Sequence, residues 1–410
     1  MIFSKKASQV NVDPQAVEEF LGRSLENIYP NRDYLKAQML SGKQLSIYLG
    51  IDPTGPTLHL GHAVQLKKLR DFQKLGHKVI LLIGDFTGMI GDPTDKSATR
   101  KPLTREDVLK NCKLYKKQAS LFLNFSGRNP AEFKFNSKWL AKMTFSDVVK
   151  VASNFTVQQM LERDMFQKRM KEAKPIHLHE FLYPLMQGYD SVILDVDGEI
   201  GGNDQTFNML AGRNLMKDLK NKEKFVITTK LLADNSGIKM GKTEGNMVSF
   251  LDDYSEKFGK IMSWTDGMIV PGLELCTDVP ITEIKKIETD LASGQINPKD
   301  YKVRLAKEIV TIYHNKELAF KAETNFNETF KKGGVPEEIE EATVTKGETL
   351  VNVLLNNKII SSKSDFRRLI TEGAVSDMSS EEKIKDLDYK IEGDITVKVG
   401  KRRFLKIRVK

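Results

Sequence analysis

Over the first two hundred residues, short apolar runs alternate with amphipathic stretches, the pattern of an α/β layer fold. The run LSIYLGID, 45–52, reads as a strand. After it Leu66, Leu69, Phe72 and Leu75 recur every three residues along a helical stripe, and Gly76 stops it. HKVILLIGDF, 77–86, is almost continuously apolar, as expected of a parallel-sheet strand buried on both faces. It runs into TGMIGDPTDKSATR, a glycine-punctuated loop that turns basic. FTVQQMLERDMFQKRMKEAKP predicts one strong helix closed by Pro175. HEFLYPLMQGYDSV predicts another, with Tyr183, Gln187 and Asp190 at i, i+4 and i+7 on a single face. Pro184 suits that helix if it starts near His179 or Glu180, because first-turn N–H groups have no partner.

From about Lys242 the pattern becomes helical, through YSEKFGKIMSWTD, ITEIKKIETDLASG and YKVRLAKEIVTIYHNKELAFKAETNFNETF, without clear strands between. Glycine, proline and an acidic cluster then mark a linker. The end reads as two short helices, in LVNVLLNNKIISSKSDFRRLITEGAV, followed by a strand hairpin around Gly400. The expected domains are therefore 1–241, an α/β layer; 242–332, helical; 333–346, linker; and 347–410, small and α+β.

Composition narrows the class without naming a function. The chain has 410 residues, 40% hydrophobic and 29% charged, enough for a sizeable core and for two or three domains. No apolar run reaches membrane-helix length, and the first twenty residues lack the apolar centre of a secretory signal. Two cysteines, Cys112 and Cys276, make neither a disulfide framework nor a thiolate metal site. These features favour the cytoplasm. The net charge is +9, and residues 345–410 hold 15 Lys and Arg against 10 Asp and Glu. Such a tail faces a polyanion or is simply solvated; charge alone does not separate the two.

The chemistry concentrates in two short stretches. HLGH places His59 and His62 three apart at the start of a helix that follows a strand. There the helix dipole and first-turn N–H groups favour an anion. Two imidazoles can add hydrogen bonds to a phosphate chain, and Gly61 clears space for a nucleotide. The alternatives are a zinc pair, for which no third ligand or HExxH pattern stands nearby, or ordinary surface histidines. Far downstream, GIKMGKTEGN carries Lys239 and Lys242 in a glycine-rich loop able to neutralise charge on a leaving pyrophosphate.

HLGH early and KMGKT late resemble the two signatures of class I aminoacyl-tRNA synthetases, and the likeness to the bacterial-type tyrosyl-tRNA synthetases covers nearly the whole chain. Gly241 and Thr243 depart from the commonest form of the second signature; both lysines remain. The resemblance implies a Rossmann-like catalytic domain at 1–241, an anticodon-binding-type helical domain and a small RNA-binding domain like one in a ribosomal protein. It implies L-tyrosine, ATP with Mg2+, and tRNA(Tyr) as substrates, a homodimer, no bound metal of the protein's own, and no membrane. The reaction is adenylate formation followed by transfer to the tRNA's terminal ribose. By the same resemblance Tyr48 and Asp190 contact the phenolic hydroxyl of tyrosine. Asp92, Tyr183 and Gln187 contact its ammonium group, and Gln205 lies near its carboxylate. Gly50, Asp52, Gly61, Gly202 and Asp204 line the ATP site, Asp204 against the ribose. Thr54, His59, His62, Lys239 and Lys242 stabilise the reacting phosphates. Lys96 and Arg100, in DKSATR, match residues near pyrophosphate and the acceptor end, and Arg367 and Arg368 match the tail's tRNA contacts. Without the resemblance GGND reads as a turn and helix cap. The rivals are a tryptophanyl-type enzyme, against which Tyr48, Asp190 and the tail stand; a noncatalytic RNA-binding relative; and another HxGH nucleotidylyltransferase.

Overall fold

A computed structural model of the chain describes residues 10–94, 103–233, 247–331, 340–378, 380, 382–400 and 403–410. These fall into two compact units, one ending at Ala319 and one beginning at Phe320.

In the first unit six strands form one sheet: β1 (Leu25–Tyr29), β2 (Ser46–Ile51), β3 (Lys78–Ile83), β4 (Glu132–Phe135), β5 (Gly198–Gly202) and β6 (Phe225–Thr229). Their order is β1-β6-β5-β2-β3-β4. All neighbours are parallel except β1, which pairs antiparallel with β6 at the edge. The interior strands are buried on both faces, which is why VILLI and FVITT carry no polar alternation. The predicted strands at 45–52 and 77–86 correspond to β2 and β3. The predicted stripe lies on the helix Leu60–Lys74, buried through Leu66, Leu69 and Phe72. Helix Leu178–Leu194 packs on helix Thr206–Lys220 where Gly188 meets Gly212; a Cβ on Gly188 would lie 3.2 Å from the Gly212 amide nitrogen.

The later helices Tyr254–Met262, Ile269–Cys276, Ile281–Ser293 and Pro298–Tyr313 belong to this same unit. The 241/242 boundary lies outside the described residues. Both cysteines are free and buried. Among the described residues, no helix is long and apolar enough to cross a membrane.

Three local expectations need correction. The stretch read as one helix ending at Pro175 is two, Val157–Leu161 and Asp164–Lys171, broken where Arg163 turns extended. Its guanidinium is drawn to Thr94, at 2.8 Å, so a tertiary contact interrupts a run that contains no glycine or proline. The helix carrying Tyr183 starts at Leu178, one residue before His179, so the start is as expected but Pro184 does not fall in the first turn. Pro184 is thus its seventh residue, beyond the first turn, and removes an intrahelical bond inside the helix. Residues 333–346 are not wholly linker, because Glu341–Val344 is a strand of the second unit.

That unit has its own sheet: β7 (Glu341–Val344), β8 (Val375–Asp377), β9 (Ile395–Val399) and β10 (Arg403–Val409), in the order β7-β10-β9-β8. β9 and β10 pair antiparallel around Gly400, the expected hairpin, and β7 adds in parallel to β10. Helices Leu350–Asn356 and Lys363–Thr371 bury Leu354, Phe366 and Leu369 in one core with Val397, Leu405 and Ile407.

Gly198 sits beside Phe225 in the β5–β6 register, and a Cβ on it would lie 2.0 Å from the buried ring. Gly198→Ala should therefore cost about 1–3 kcal/mol of stability through overpacking, read as a lower urea midpoint at unchanged slope.

Candidate active site

Strands β2 and β5 are neighbours, but the chain continues from β2 toward β3 on one side and from β5 toward β6 on the other. Loops leaving their carboxyl ends diverge and open a crevice, the usual binding place of an open parallel sheet. A cleft of about 290 Å³ occupies it. Asp52 and Thr54 reach it from the end of β2, Gly84, Thr87 and Asp92 from β3, Asp204 and Gln205 from β5, and Lys230 from β6. Every predicted residue of the tyrosine, ATP and phosphate sets that is described lines this one cleft: Tyr48, Gly50, Asp52, Thr54, His59, Gly61, His62, Asp92, Tyr183, Gln187, Asp190, Gly202, Asp204 and Gln205. Lys96, Arg100, Lys239 and Lys242 lie outside the described residues. Arg367 and Arg368 are in the second unit, on helix Lys363–Thr371. Arg367 is exposed, while Arg368 pairs with Asp365 at 2.8 Å and Glu372 at 3.1 Å.

At the helix start, the first-turn N–H groups are not available to a ligand as the sequence suggested. Leu60 N–H donates to the Val248 carbonyl at 3.1 Å and His62 N–H to the His59 carbonyl at 2.8 Å. Gly61 N–H donates to His59 Nδ1 at 3.1 Å, and His59 N–H to His62 Nδ1 at 3.2 Å. The two rings are tilted 53° to each other with centroids 4.0 Å apart. Burial lowers the pKa of His59 to about 4 and that of His62 well below 6.5. A neutral ring that accepts at Nδ1 carries its proton on Nε2. The donors this corner offers are therefore the two Nε2–H groups. Gly50 fits a close approach: a Cβ there would meet only the Tyr48 ring, at 3.8 Å.

Asp190 is buried at the far end of the cleft. Trp139 Nε1 donates to it at 2.7 Å and Asn136 Nδ2 at 3.2 Å. Burial pushes its pKa well up, against the pull of these two donors. Tyr48, fully buried, holds its hydroxyl 3.0 Å from Ser191 Oγ and 3.3 Å from the Gln187 carbonyl.

Two further carboxylates have structured surroundings. Asp52 accepts from Tyr183 at 2.8 Å and Thr87 at 2.6 Å. Gly84 is required there, since a Cβ would fall 1.9 Å from Asp52 Oδ1. Asp92 accepts from Gln205 Nε2 at 2.7 Å and Thr94 Oγ1 at 2.7 Å, with the Arg163 guanidinium 3.7 Å away. Burial pulls the arginine's pKa down, against Asp92.

Thr87, Asn136, Trp139, Arg163, Ser191 and Glu199 escaped the sequence reading. Asn136 and Trp139, three apart just after β4, and Glu199, an acid inside a buried strand, were the available signals.

Residues 40–331 match the family of tRNA synthetases class I (W and Y). The chain is 46% identical to the tyrosine–tRNA ligase of Carboxydothermus hydrogenoformans, over 95% of this chain and 97% of that one. It is 41% identical to the tyrosine–tRNA ligase of Thermotoga maritima, over 96% and 98%. A C-terminally truncated mitochondrial tyrosyl-tRNA synthetase of Aspergillus nidulans shares the fold, with a TM-score of 0.65 at 24% identity over 77% of this chain and 94% of that one. With relatives alike almost end to end and a family match across the sheet, its cleft and the helices that follow, this chain belongs to the class I tRNA synthetases, among the tyrosine–tRNA ligases.

Proposed function

We propose that the cleft at the β2–β5 divide is where the ligase reaction takes place, with tyrosine in the inner half and ATP at the histidine corner. The observation that carries this reading is the convergence of the described candidate residues, from five separate stretches of chain, on one cleft. Asp190 and Tyr48 take the phenolic hydroxyl. Asp92, Tyr183 and Gln187 take the ammonium, and Gln205, already tied to Asp92, lies beside the carboxylate. The carboxylate is itself a competent nucleophile and attacks the α-phosphate, expelling pyrophosphate without a general base. Gly50, Asp52, Gly61, Gly202 and Asp204 receive the nucleotide.

Thr54 and the Nε2–H groups of His59 and His62 stabilise the phosphates as charge shifts toward the leaving group. Lys239 and Lys242 join them. Supporting this, the segment that holds them is flanked by Leu232, which lines the cleft, and by Ser249, which bridges to His59. Mg2+ enters with ATP as substrate, its oxygen ligands supplied by the phosphates. The terminal ribose of tRNA(Tyr) then attacks the adenylate, with Lys96 and Arg100 near the acceptor end and Arg367 and Arg368 on the RNA backbone. Catalysis thus belongs to 1–241 and anticodon-side binding to 242–332. The small RNA-binding domain begins at Glu341, ahead of the expected 347. The cytoplasm, where ATP and tRNA are found together, is the compartment this reading proposes.

The homodimer is part of the same proposal. Phe145 and Leu178 are 84% and 83% exposed. They lie on two packed helices beside an apolar pocket of about 260 Å³ lined by Val148, Leu182 and Met186. A patch of this kind marks a protein interface.

Amino-acid-dependent ATP–pyrophosphate exchange should respond to tyrosine and to neither phenylalanine nor tryptophan; exchange with tryptophan would refute the pocket assignment. His59→Asn should slow tyrosine-dependent exchange about 100-fold. Exchange as fast as wild type would remove His59 from the phosphate site.

The unfolded chain's histidines bind protons below 6.5, while His59 stays neutral until about 4. Its contribution to stability is thus present above 6.5 and is lost as pH falls through that window. In urea unfolding, wild type should lose stability relative to His59→Asn as pH falls from 7 to about 5. Replacing both exposed residues, Phe145→Glu with Leu178→Glu, should convert the dimer to monomers in sedimentation equilibrium.

A further inference from the structure

In the wall of the inner half of the cleft, which Glu199 itself lines, is a charge pair to which none of the roles above gives a task. Glu199, in β5, and Lys224, one residue before β6, are both buried, Lys224 completely. Lys224 occupies space left by Gly212: a Cβ there would lie 2.6 Å from its Nζ and 2.8 Å from Ser191 Oγ. Its donors go to the Glu199 carboxylate, to Ser191 Oγ at 2.7 Å and to the Met209 carbonyl at 3.2 Å. Three acceptors saturate an ammonium, so the lysine is charged and its partner is a carboxylate.

A carboxylate can only accept. Glu199 Oε1 takes the Gln187 Nε2–H at 2.9 Å, so the Gln187 amide can face it only with its NH2 end. The amide oxygen is left for the cleft, where an ammonium group needs an acceptor. Ser191 in turn accepts from Lys224 and retains its own proton, and its nearer partner is the Tyr48 hydroxyl, at 3.0 Å against 3.5 Å for Glu199 Oε2. The pair therefore reaches both ends of the amino-acid pocket through two residues that line it, Gln187 and Tyr48.

We propose that Glu199 and Lys224 are a positioning pair for tyrosine, fixing the Gln187 amide oxygen toward the substrate ammonium and, through Ser191, the Tyr48 hydroxyl toward the phenol. The inference rests on the roles given above to Gln187 and Tyr48. A neutral glutamine at 199 could donate as well as accept, and Gln187 would then satisfy either orientation. The ionic pair removes that degeneracy. A pair that only held β5 against the helices would affect stability and leave substrate affinity alone.

Removing one charge strands the other in the interior, so the deciding variant removes both: Glu199→Gln with Lys224→Met. Exchange is measured on the full chain with tyrosine and ATP varied separately. The tyrosine KM should rise about tenfold or more, with the ATP KM within about twofold of wild type. Ser191→Ala, which keeps both charges and removes the relay to Tyr48 together with one acceptor of Lys224, serves as the second variant. It should raise the tyrosine KM about threefold or more, again without moving that of ATP. An unchanged tyrosine KM in Ser191→Ala and in a folded double variant overturns the inference, and so does a parallel rise for both substrates. If the double variant does not fold, Ser191→Ala alone decides. A wild type that exchanges with tyrosine while the variants match it overturns only the positioning pair. A wild type silent with tyrosine overturns the reading beneath it.

Discussion

The arrangement depends on one topological constraint, the place where a parallel sheet changes the direction of its growth. Parallel strands all end on the same edge, so loops that diverge from β2 and β5 leave a gap there. Each strand end contributes what its own loop can carry. β2 supplies Asp52, Thr54 and the histidine-bearing helix start; β3 supplies Thr87 and Asp92; β5 supplies Asp204 and Gln205. None of these groups is adjacent in sequence to those from another strand. The cleft follows from the order of the strands, and the chemistry from residues that happen to follow each one.

Such a site gathers carboxylates, and each must be accommodated in a partly dry place. Asp52 and Asp92 accept two or more hydrogen bonds each, while Glu199 has a buried cation. Asp190 is the most demanding, being buried with the neutral donors Trp139 and Asn136, and burial raises its pKa accordingly. In the proposed role, a substrate hydroxyl adds a further donor. A ligand lacking that hydroxyl would forgo those bonds to Asp190 and Tyr48, at about 0.5–3 kcal/mol for each bond not made. Discrimination by an unmet hydrogen bond needs no extra space and no second site. The histidines follow the opposite logic. Burial keeps them neutral, so they can serve phosphates as hydrogen-bond donors without a fixed charge that would hold the product.

The elements legible in the sequence were those with a strong period. β2, β3 and the Leu60–Lys74 helix follow from apolar spacing, and the face carrying Tyr183, Gln187 and Asp190 follows from helical geometry. Residue assignments went further than periodicity allows, because family resemblance supplied the roles. What stayed illegible belongs to pairs made by folding. Trp139 and Asn136 are ordinary residue types until β4 delivers them beneath Asp190. Lys224 looks like a surface lysine before a strand, and only Gly212 on a neighbouring helix makes room for it. Arg163 breaks a helix that local propensity would continue, since its guanidinium is held by Thr94 and lies over the Phe207 ring.

The later helices matter to the cleft because of how they are fastened to it. A helix C-terminus exposes carbonyls that lack intrahelical partners. At the end of Ile269–Cys276, Arg23 fills that need, donating to the carbonyls of Leu273, Glu274, Thr277 and Val279 at 2.6–3.1 Å. Lys67 and Arg70, from the helix that begins at the histidines, complete the joint. Lys67 donates to the Thr277 carbonyl, and Arg70 binds Asp278 through two hydrogen bonds of 2.8 and 3.0 Å. The resulting positive surroundings hold the Asp278 pKa far below the ordinary carboxylate range. A bidentate guanidinium pair fixes orientation as well as distance. The helix carrying His59 and His62 is therefore anchored near both its ends, by Val248 at its start and by Asp278 about three turns later. In the proposed role the two imidazoles meet a phosphate chain with little freedom, and a joint outside the cleft places them.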